Sequence, residues 1–301
     1  MEREPRWREL HDRAVDALRG AGVASPEAEA RWLLEHVSGE PGETVIVDAG
    51  PATRRGTNQL EVLLARRLGG EPLQYVLGEW SFRDLDLLVD RRVLIPRPET
   101  EVIVEVALRE AERLGARVGA PDRWAGAREA FAVADLGTGS GAIAIALERE
   151  LPDAEVWATD ASADALAVAR ANVAGCGATR VRVAEGTWFD ALPAEARGAL
   201  RLVVSNPPYI AAHEVGDLPT AVIDWEPYGA LVSGETGLEC LEEILRDAPG
   251  WLAADGVLVL EHAPQQAESL RATARDAGFA EAETVGDLAG RDRVLVARLA
   301  P

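Results

Sequence analysis

Apolar positions recur with helical spacing through the first part of the chain. Trp7, Leu10, Ala14 and Leu18 share one face until Gly20 and Gly22 interrupt the pattern. Ser25, Pro26 and Glu27 read as an N-cap, a first-turn proline and a dipole-compensating acid, opening a helix that continues through Trp32, Leu33 and Val37. Leu60, Leu63, Leu64 and Leu68 mark a further amphipathic helix, ended by Gly69, Gly70 and Pro72. Residues 1–72 therefore read as a small helical domain that carries no chemistry of its own, a packing or partner-binding module.

The pattern changes over 73–95. "LQYVLGEWSFRDLDLLVDRRVLI" mixes aromatic and β-branched residues, with alternation at Leu85, Leu87 and Val89, which predicts one or two short strands connecting two domains. Pro96 and Pro98 follow, and then "ETEVIVEVALREAERL" has the spacing of a helix with acids in its first turn. Residues 115–130 are rich in Gly, Ala and Arg and read as a linker.

From residue 131 onward, short β-type runs alternate with helical ones. Strands are predicted near Phe131–Asp135, Glu155–Asp160, Arg180–Ala184, Leu202–Ser205, Val257–Glu261, Ala280–Val285 and Arg293–Leu299, and helices over 141–150, 162–174, 237–253 and 264–277. Such alternation implies βαβ units and a doubly wound, mostly parallel α/β sheet. The short connection between the last two strands suggests an antiparallel end. Residues 96–301 form the larger domain in this reading.

Composition narrows the function. No run of about 18 uncharged apolar residues exists, so no membrane span is expected, and the charged start "MEREPRWREL" lacks the apolar segment of a secretory signal. Two cysteines, Cys176 and Cys240, fit a reducing compartment, and the expected address is the cytoplasm. The four histidines form no HxxH pair and no CxxC occurs, so no metal site is expected. With 51 acidic against 31 basic residues, the net charge of −20 disfavours a polyanionic partner.

Between the first large-domain strand and its helix stands "ADLGTGSGAIAIAL", with Gly137, Thr138, Gly139, Ser140 and Gly141 forming a G-x-G-x-G loop. Glycines there permit a tight turn and a close approach of backbone to ligand, and the following helix offers free N–H groups. The next strand ends at Asp160, 19 residues after Gly141, where a carboxylate can accept from both hydroxyls of a ribose. A ligand-free turn, a nicotinamide dinucleotide site and an S-adenosylmethionine (SAM) site all remain open for the loop alone. The third glycine comes one residue earlier than the dinucleotide fingerprint requires.

"RLVVSNPPYI" delivers Asn206 from the end of a strand into Pro207, Pro208 and Tyr209. Strand ends in open α/β sheets point into the ligand crevice. Proline fixes φ and leaves carbonyls without a competing N–H, so the Asn206 side-chain oxygen and a neighbouring carbonyl can accept both hydrogens of one –NH₂ group. Tyr209 can lie against a planar target. The pattern suits methyl transfer to an amide or exocyclic amine, whose delocalised lone pair must be aimed at the methyl carbon.

At this point the sequence resembles the release-factor glutamine methyltransferases, the HemK or PrmC family. The resemblance covers most of the chain and rests on "LGEWSF" (77–82), "VLIPRPETE" (93–101), the glycine loop, "ATD" (158–160), "TWFDAL" (187–192), "VVSNPPYI" (203–210), "EPYGAL" (226–231), "GL" (237–238) and "LEH" (260–262). It implies a class I SAM-dependent methyltransferase domain with a seven-stranded sheet, joined through a β-hairpin to a helical N-terminal domain. It implies methylation of the side-chain amide of the glutamine in the Gly-Gly-Gln motif of class 1 release factors. On this resemblance Gly137 to Gly141 wrap the SAM amino-acid portion, Asp160 holds the ribose and Trp188 sits beside the adenine. Asn206, Pro207, Pro208 and Tyr209 grip the glutamine, Asn206 also facing the cofactor, with Arg97 and Glu99 lining the same pocket. Two positions depart from the pattern: Thr187 stands where many relatives carry an acid, with Glu185 two residues away, and Ala263 stands where glycine usually follows "LEH".

Two other targets fit Asn-Pro-Pro-Tyr. A sister family methylates a glutamine of ribosomal protein L3, but its equivalent of "IPRPETE" reads closer to "VPRSP". N6-adenine DNA methyltransferases share the motif because adenine also presents a planar –NH₂. They need a target-recognition region and a basic groove, and only about 90 residues follow the motif here. The expectation is a monomeric enzyme acting on release factors without direct DNA binding, its N-terminal domain recognising the substrate.

Overall fold

The computed structural model describes residues 4–47, 50–119 and 131–301. The chain divides into two compact units, Met1–Glu79 and Trp80–Pro301. The first holds helices α1 (Trp7–Gly20), α2 (Pro26–Ser38), α3 (Gly42–Val47), α4 (Arg54–Leu68) and α5 (Leu73–Leu77). Its core contains Leu10, Ala14 and Leu18 of α1, Leu33 of α2 and Leu60 and Leu63 of α4, as the periodicity predicts, joined by Val15, Ala30 and Leu34. Trp7, Trp32, Val37 and Leu64 are only partly buried, and Leu68 is exposed. Ser25 stands at the N-cap of α2, but its side chain makes no capping bond. Thr53 does cap α4, accepting from the Gly56 N–H at 3.0 Å.

Residues 73–95 do not form one hairpin linker. Residues 73–77 are helical, begun after Pro72 and stopped by Gly78 at φ 78°. The two strands come later, β1 (Glu79–Phe82) and β2 (Leu85–Leu88), and alternation at Phe82, Leu85 and Leu87 buries them in the core of the second unit. That burial is why the boundary between units falls at 79/80 and not at 72/73. The linker expected over 115–130 lies mostly outside the described residues.

Helix α6 (Thr100–Arg113) precedes β3 (Phe131–Leu136), α7 (Ala142–Glu150), β4 (Ala154–Asp160), α8 (Ala163–Gly175), β5 (Val181–Glu185) and β6 (Leu200–Ser205). Next come β7 (Ile210–Ala211), α9 (Thr220–Trp225), β8 (Val232–Gly234), α10 (Glu239–Asp247), β9 (Leu252–Glu261), α11 (Ala267–Asp276), β10 (Glu281–Gly286) and β11 (Asp292–Arg298). Short β7 and β8 pair with each other, and neither they nor α9 had a sequence signal. Helix α10 ends well before residue 253 because Pro249 cannot extend it, and β9 begins five residues before the expected Val257.

The large sheet runs β10-β11-β9-β6-β3-β4-β5. Pairing is parallel from β9 through β5, and β11 lies antiparallel between β9 and β10. In the central strands successive side chains alternate between two apolar layers, while the edge strands β5 and β10 are largely exposed or half-buried. Val133, Leu202, Val204, Val257 and Val259 point to one layer, packed with Ile103, Val104 and Ala107 of α6 and Ile143 and Leu147 of α7. Ala134, Val203, Leu258 and Leu260 point to the other, packed with Leu241, Ile244 and Leu245 of α10 and Leu270 of α11. The chain leaves β3 toward β4 on one side and returns as β6 on the other. The crevice at the carboxyl ends of β3 and β6 is therefore the topological switch point where such sheets bind ligands.

Candidate active site

Three glycines shape the loop after β3. Gly137, Gly139 and Gly141 have φ of 69°, 54° and 86°, a region that side-chain-bearing residues rarely adopt. A Cβ on Gly137 would meet the Trp188 ring at 3.3 Å. The loop is tied on both sides: the Thr138 N–H donates to the Thr159 carbonyl at 2.8 Å, and the Gly139 N–H donates to Asp160 Oδ2 at 2.9 Å. A tie without a sequence signal comes from Asn172 on α8. Its Nδ2 donates to the carbonyls of Ser140 (2.8 Å) and Leu88 (3.0 Å), while its Oδ1 accepts the Leu88 N–H at 2.7 Å.

Two carboxylates flank the loop. Asp160, at the end of β4, accepts from Gly139 on one oxygen and from the Ser162 N–H on the other at 2.9 Å, leaving a lone pair on each for a ligand hydroxyl. Burial raises its pKa, and the backbone donors oppose that rise. Asp135 is fully buried beneath the loop. Its Oδ2 accepts the Thr138 hydroxyl at 2.6 Å and the Ala144 N–H at 3.1 Å, and its Oδ1 has no partner. Desolvation pushes Asp135 up to about 7.

Trp188 holds a left-handed backbone at φ 46°, a strained state for a residue with a side chain. The Thr159 hydroxyl donates to its carbonyl at 3.2 Å, and its indole N–H donates to Glu243 Oε2 at 3.0 Å. Glu243, on α10, escaped sequence reasoning. Thr187 lines the cavity beside Trp188, whereas Glu185, paired with Asp160 at the sheet edge, is not among its lining residues.

Asn206 follows β6 directly, which places it beside the glycine loop. Its Nδ2 donates to the Thr100 hydroxyl at 3.2 Å. Tyr209 packs against the apolar layer under α10 and α11, and its hydroxyl donates to Glu261 Oε1 at 3.2 Å. Burial, and then the Glu261 charge, raise the Tyr209 pKa, so this phenol stays protonated. Glu261 is buried at the end of β9, which pushes it up to about 7, with Thr100, Arg293 and Tyr209 opposing the rise.

The "IPRPETE" segment contributes differently from the expectation. Pro96 and Thr100 line the cavity; Arg97 and Glu99 do not. Arg97 pairs with buried Glu226, which also accepts the Ile95 N–H at 3.3 Å, and Glu99 lies 3.9 Å from Arg291. Arg97 thereby clips the segment to "EPYGAL", and Glu99 faces the turn before β11. Ala263, where glycine is usual, has φ −74° and ψ 146°, a backbone open to any residue, and its N–H donates to Gln266 at 3.0 Å.

These elements enclose a cavity of about 490 Å³, lined by the glycine loop, Asp160, Trp188, Asn206 and Pro208. Pro207 and Tyr209 stand behind that lining. The residues fit SAM: an aromatic wall beside Gly137, a ribose acceptor in Asp160, and a loop free of Cβ atoms where a ligand approaches. Among the described residues no group of three or more His, Cys, Asp or Glu is arranged to hold a metal ion, and no helix is long and apolar enough to cross a membrane.

Comparison with known proteins agrees with this geometry. Residues 9–78 match the PrmC N-terminal domain, and residues 126–223 match the methyltransferase small domain. The release factor glutamine methyltransferase of Bordetella pertussis is 43% identical over 280 residues, covering 93% of this chain and 96% of the relative. That of Salmonella typhimurium is 40% identical over 294 residues, covering 97% and 98%. Among solved structures, a methyltransferase from Pyrococcus furiosus is similar in fold, with a TM-score of 0.52 at 16% identity, over 79% of this chain and 98% of that one.

Proposed function

The chain belongs to the release factor glutamine methyltransferase family, and from that membership and the placement of Asn206 we propose that it transfers a methyl group from SAM to the side-chain amide nitrogen of the glutamine in the Gly-Gly-Gln motif of peptide chain release factors. The observation that carries the reading is the Asn206–Thr100 bond. With Nδ2 committed to Thr100 at 3.2 Å, Oδ1 is the end of Asn206 left to accept an amide hydrogen in the cavity.

SAM supplies a methyl group already activated on a cationic sulfur. The protein's part is position and electrostatics. Asn206 Oδ1 and a carbonyl of the Pro207-Pro208 segment accept the two amide hydrogens, which localises the nitrogen lone pair. The prolines hold those acceptors still, and Tyr209, anchored by Glu261, backs the clamp. The proton leaves after the new N–C bond has formed, when the nitrogen is acidic, so no strong base is needed beside it.

The N-terminal unit serves in this reading to recognise the release factor, since a glutamine within a protein loop requires contacts beyond the pocket. The protein works as a monomer in the cytoplasm without DNA or metal. The net charge of −20 supports a protein target over adenine in DNA.

Incubation with labelled SAM and a recombinant class 1 release factor tests the assignment. Label is expected on the Gly-Gly-Gln peptide; label on ribosomal protein L3 or on DNA instead would overturn it. A chain starting at Trp80 is expected to keep SAM binding and lose affinity for the release factor.

A further inference from the structure

The partners of the Asn-Pro-Pro-Tyr motif converge on one buried carboxylate, and we propose that Glu261, acting through Thr100, is the positioning residue that sets which end of the Asn206 side chain faces the substrate. The proposal rests on Asn206 being the amide clamp.

An asparagine ends in two groups of nearly equal shape, an acceptor oxygen and a donor –NH₂. Turned by half a rotation, Asn206 would point donors at a substrate that itself presents donors. Thr100 cannot decide the matter alone, because a hydroxyl both donates and accepts. The carboxylate of Glu261 only accepts. It is 2% exposed, its Oε1 takes the Tyr209 hydroxyl at 3.2 Å, and its Oε2 is buried without a partner in good geometry. The Thr100 hydroxyl faces this carboxylate and favours its charged form. With its oxygen accepting the Asn206 amide, its hydrogen has Oε2 as a buried acceptor that still lacks a donor.

A hydrogen turned from Thr100 toward Glu261 leaves the Thr100 oxygen as an acceptor. That oxygen then takes the Asn206 Nδ2–H at 3.2 Å, and Oδ1 is the end that remains for the substrate amide. The polarity of the clamp is thus relayed from β9 through α6 to the end of β6. The same carboxylate fixes the Tyr209 hydroxyl, so both side chains of the clamp answer to one residue. Arg293 on β11 also favours the charged form, while Glu99 opposes it.

A glutamine at 261 keeps the volume and forfeits the polarity. Its –NH₂ either donates to Thr100, which turns the Asn206 oxygen away from the substrate, or faces the Tyr209 hydroxyl and displaces that hydrogen.

The test uses Thr100→Val, Thr100→Ser and Glu261→Gln in the full-length protein at about pH 8.5, where a group near 7 is ionised. Valine and glutamine are expected to lower kcat by about 10- to 100-fold, with SAM affinity near that of the wild type, and serine to restore kcat to within about threefold. The chain has three asparagines, Asn58, Asn172 and Asn206. Selective ¹⁵N-asparagine labelling therefore reads the Asn206 side-chain amide directly, its signal identified by its loss in Asn206→Ala. That signal is expected to shift in Thr100→Val and Glu261→Gln but not in Thr100→Ser. An unchanged Asn206 signal, or unchanged kcat, in Thr100→Val and Glu261→Gln would overturn the relay. The labelling experiment needs no methyl acceptor, so it separates failure of the relay from failure of the substrate assignment.

Discussion

The indole N–H of Trp188 donates to the carboxylate of Glu243 at 3.0 Å, 55 residues along the chain. This bond holds the Trp188 ring against Gly137 while its backbone sits in a left-handed conformation. Glu243 is partly exposed, so its contribution is modest, yet it fixes a wall of the cavity proposed for SAM. Glu243→Ala is expected to weaken SAM binding about three- to tenfold, as the loss of one charge-assisted hydrogen bond implies. Turnover at saturating SAM should stay close to wild type. Isothermal titration calorimetry and an assay at saturating cofactor check the two halves.

Asn206→Ala separates cofactor binding from chemistry. The side chain bonds Thr100 at the cavity proposed for SAM and the glutamine, whereas the glycine loop, Asp160 and Trp188 line the part proposed for the cofactor. SAM affinity should change little, and turnover on a release factor should fall by about 100-fold or more. Normal turnover would remove Asn206 from the clamp.

Asn172 is a structural prediction. Its side chain satisfies three backbone groups, on Leu88 and Ser140, in a buried position. Asn172→Ala leaves those groups without partners, at about 1–3 kcal/mol each before relaxation, so a loss near 3 kcal/mol is expected. Thermal or urea denaturation measures it, with Asn172→Asp worse because a carboxylate would face two carbonyl oxygens.

Asp135 makes stability depend on pH. Its folded pKa is raised from 3.8 to about 7, so the native state binds the proton more tightly than the unfolded chain. The favourable contribution is complete below the unfolded value and is lost as pH rises from about 4 through 7. Glu261, raised to about 7 as well, acts in the same direction. The urea midpoint should therefore fall between pH 5 and pH 8, in a range set by these two values. Asp135→Asn, which keeps one acceptor oxygen for Thr138 and Ala144, should match the wild type at acid pH and exceed it at alkaline pH, where the buried charge is removed. The slope should flatten, the Glu261 part remaining.

Much of this molecule was legible in its residues because the relevant rules act over a few positions. Short β-type runs alternating with helical ones marked the strands, and G-x-G-x-G before a helix marked the loop. Asp160 at the end of the next strand, and Asn206 before two prolines, needed only the direction of a strand to be placed at the crevice. The shorter helix before Pro249 and the helical turn at 73–77 were misread, since local punctuation there competed with apolar runs that fit either structure.

Tertiary structure decided the rest. Which carboxylate holds Trp188, which hydroxyl orients Asn206 and which amide ties the glycine loop to the hairpin are contacts between residues 55, 106, and 32 or 84 positions apart. No fixed spacing produces such pairs. They arise because α6, α8, α10 and β9 are brought to one end of the sheet by burying their apolar faces, and polar groups carried there must find partners where water is excluded. The sequence determined what chemistry the crevice contains; packing determined which end of each polar side chain faces it.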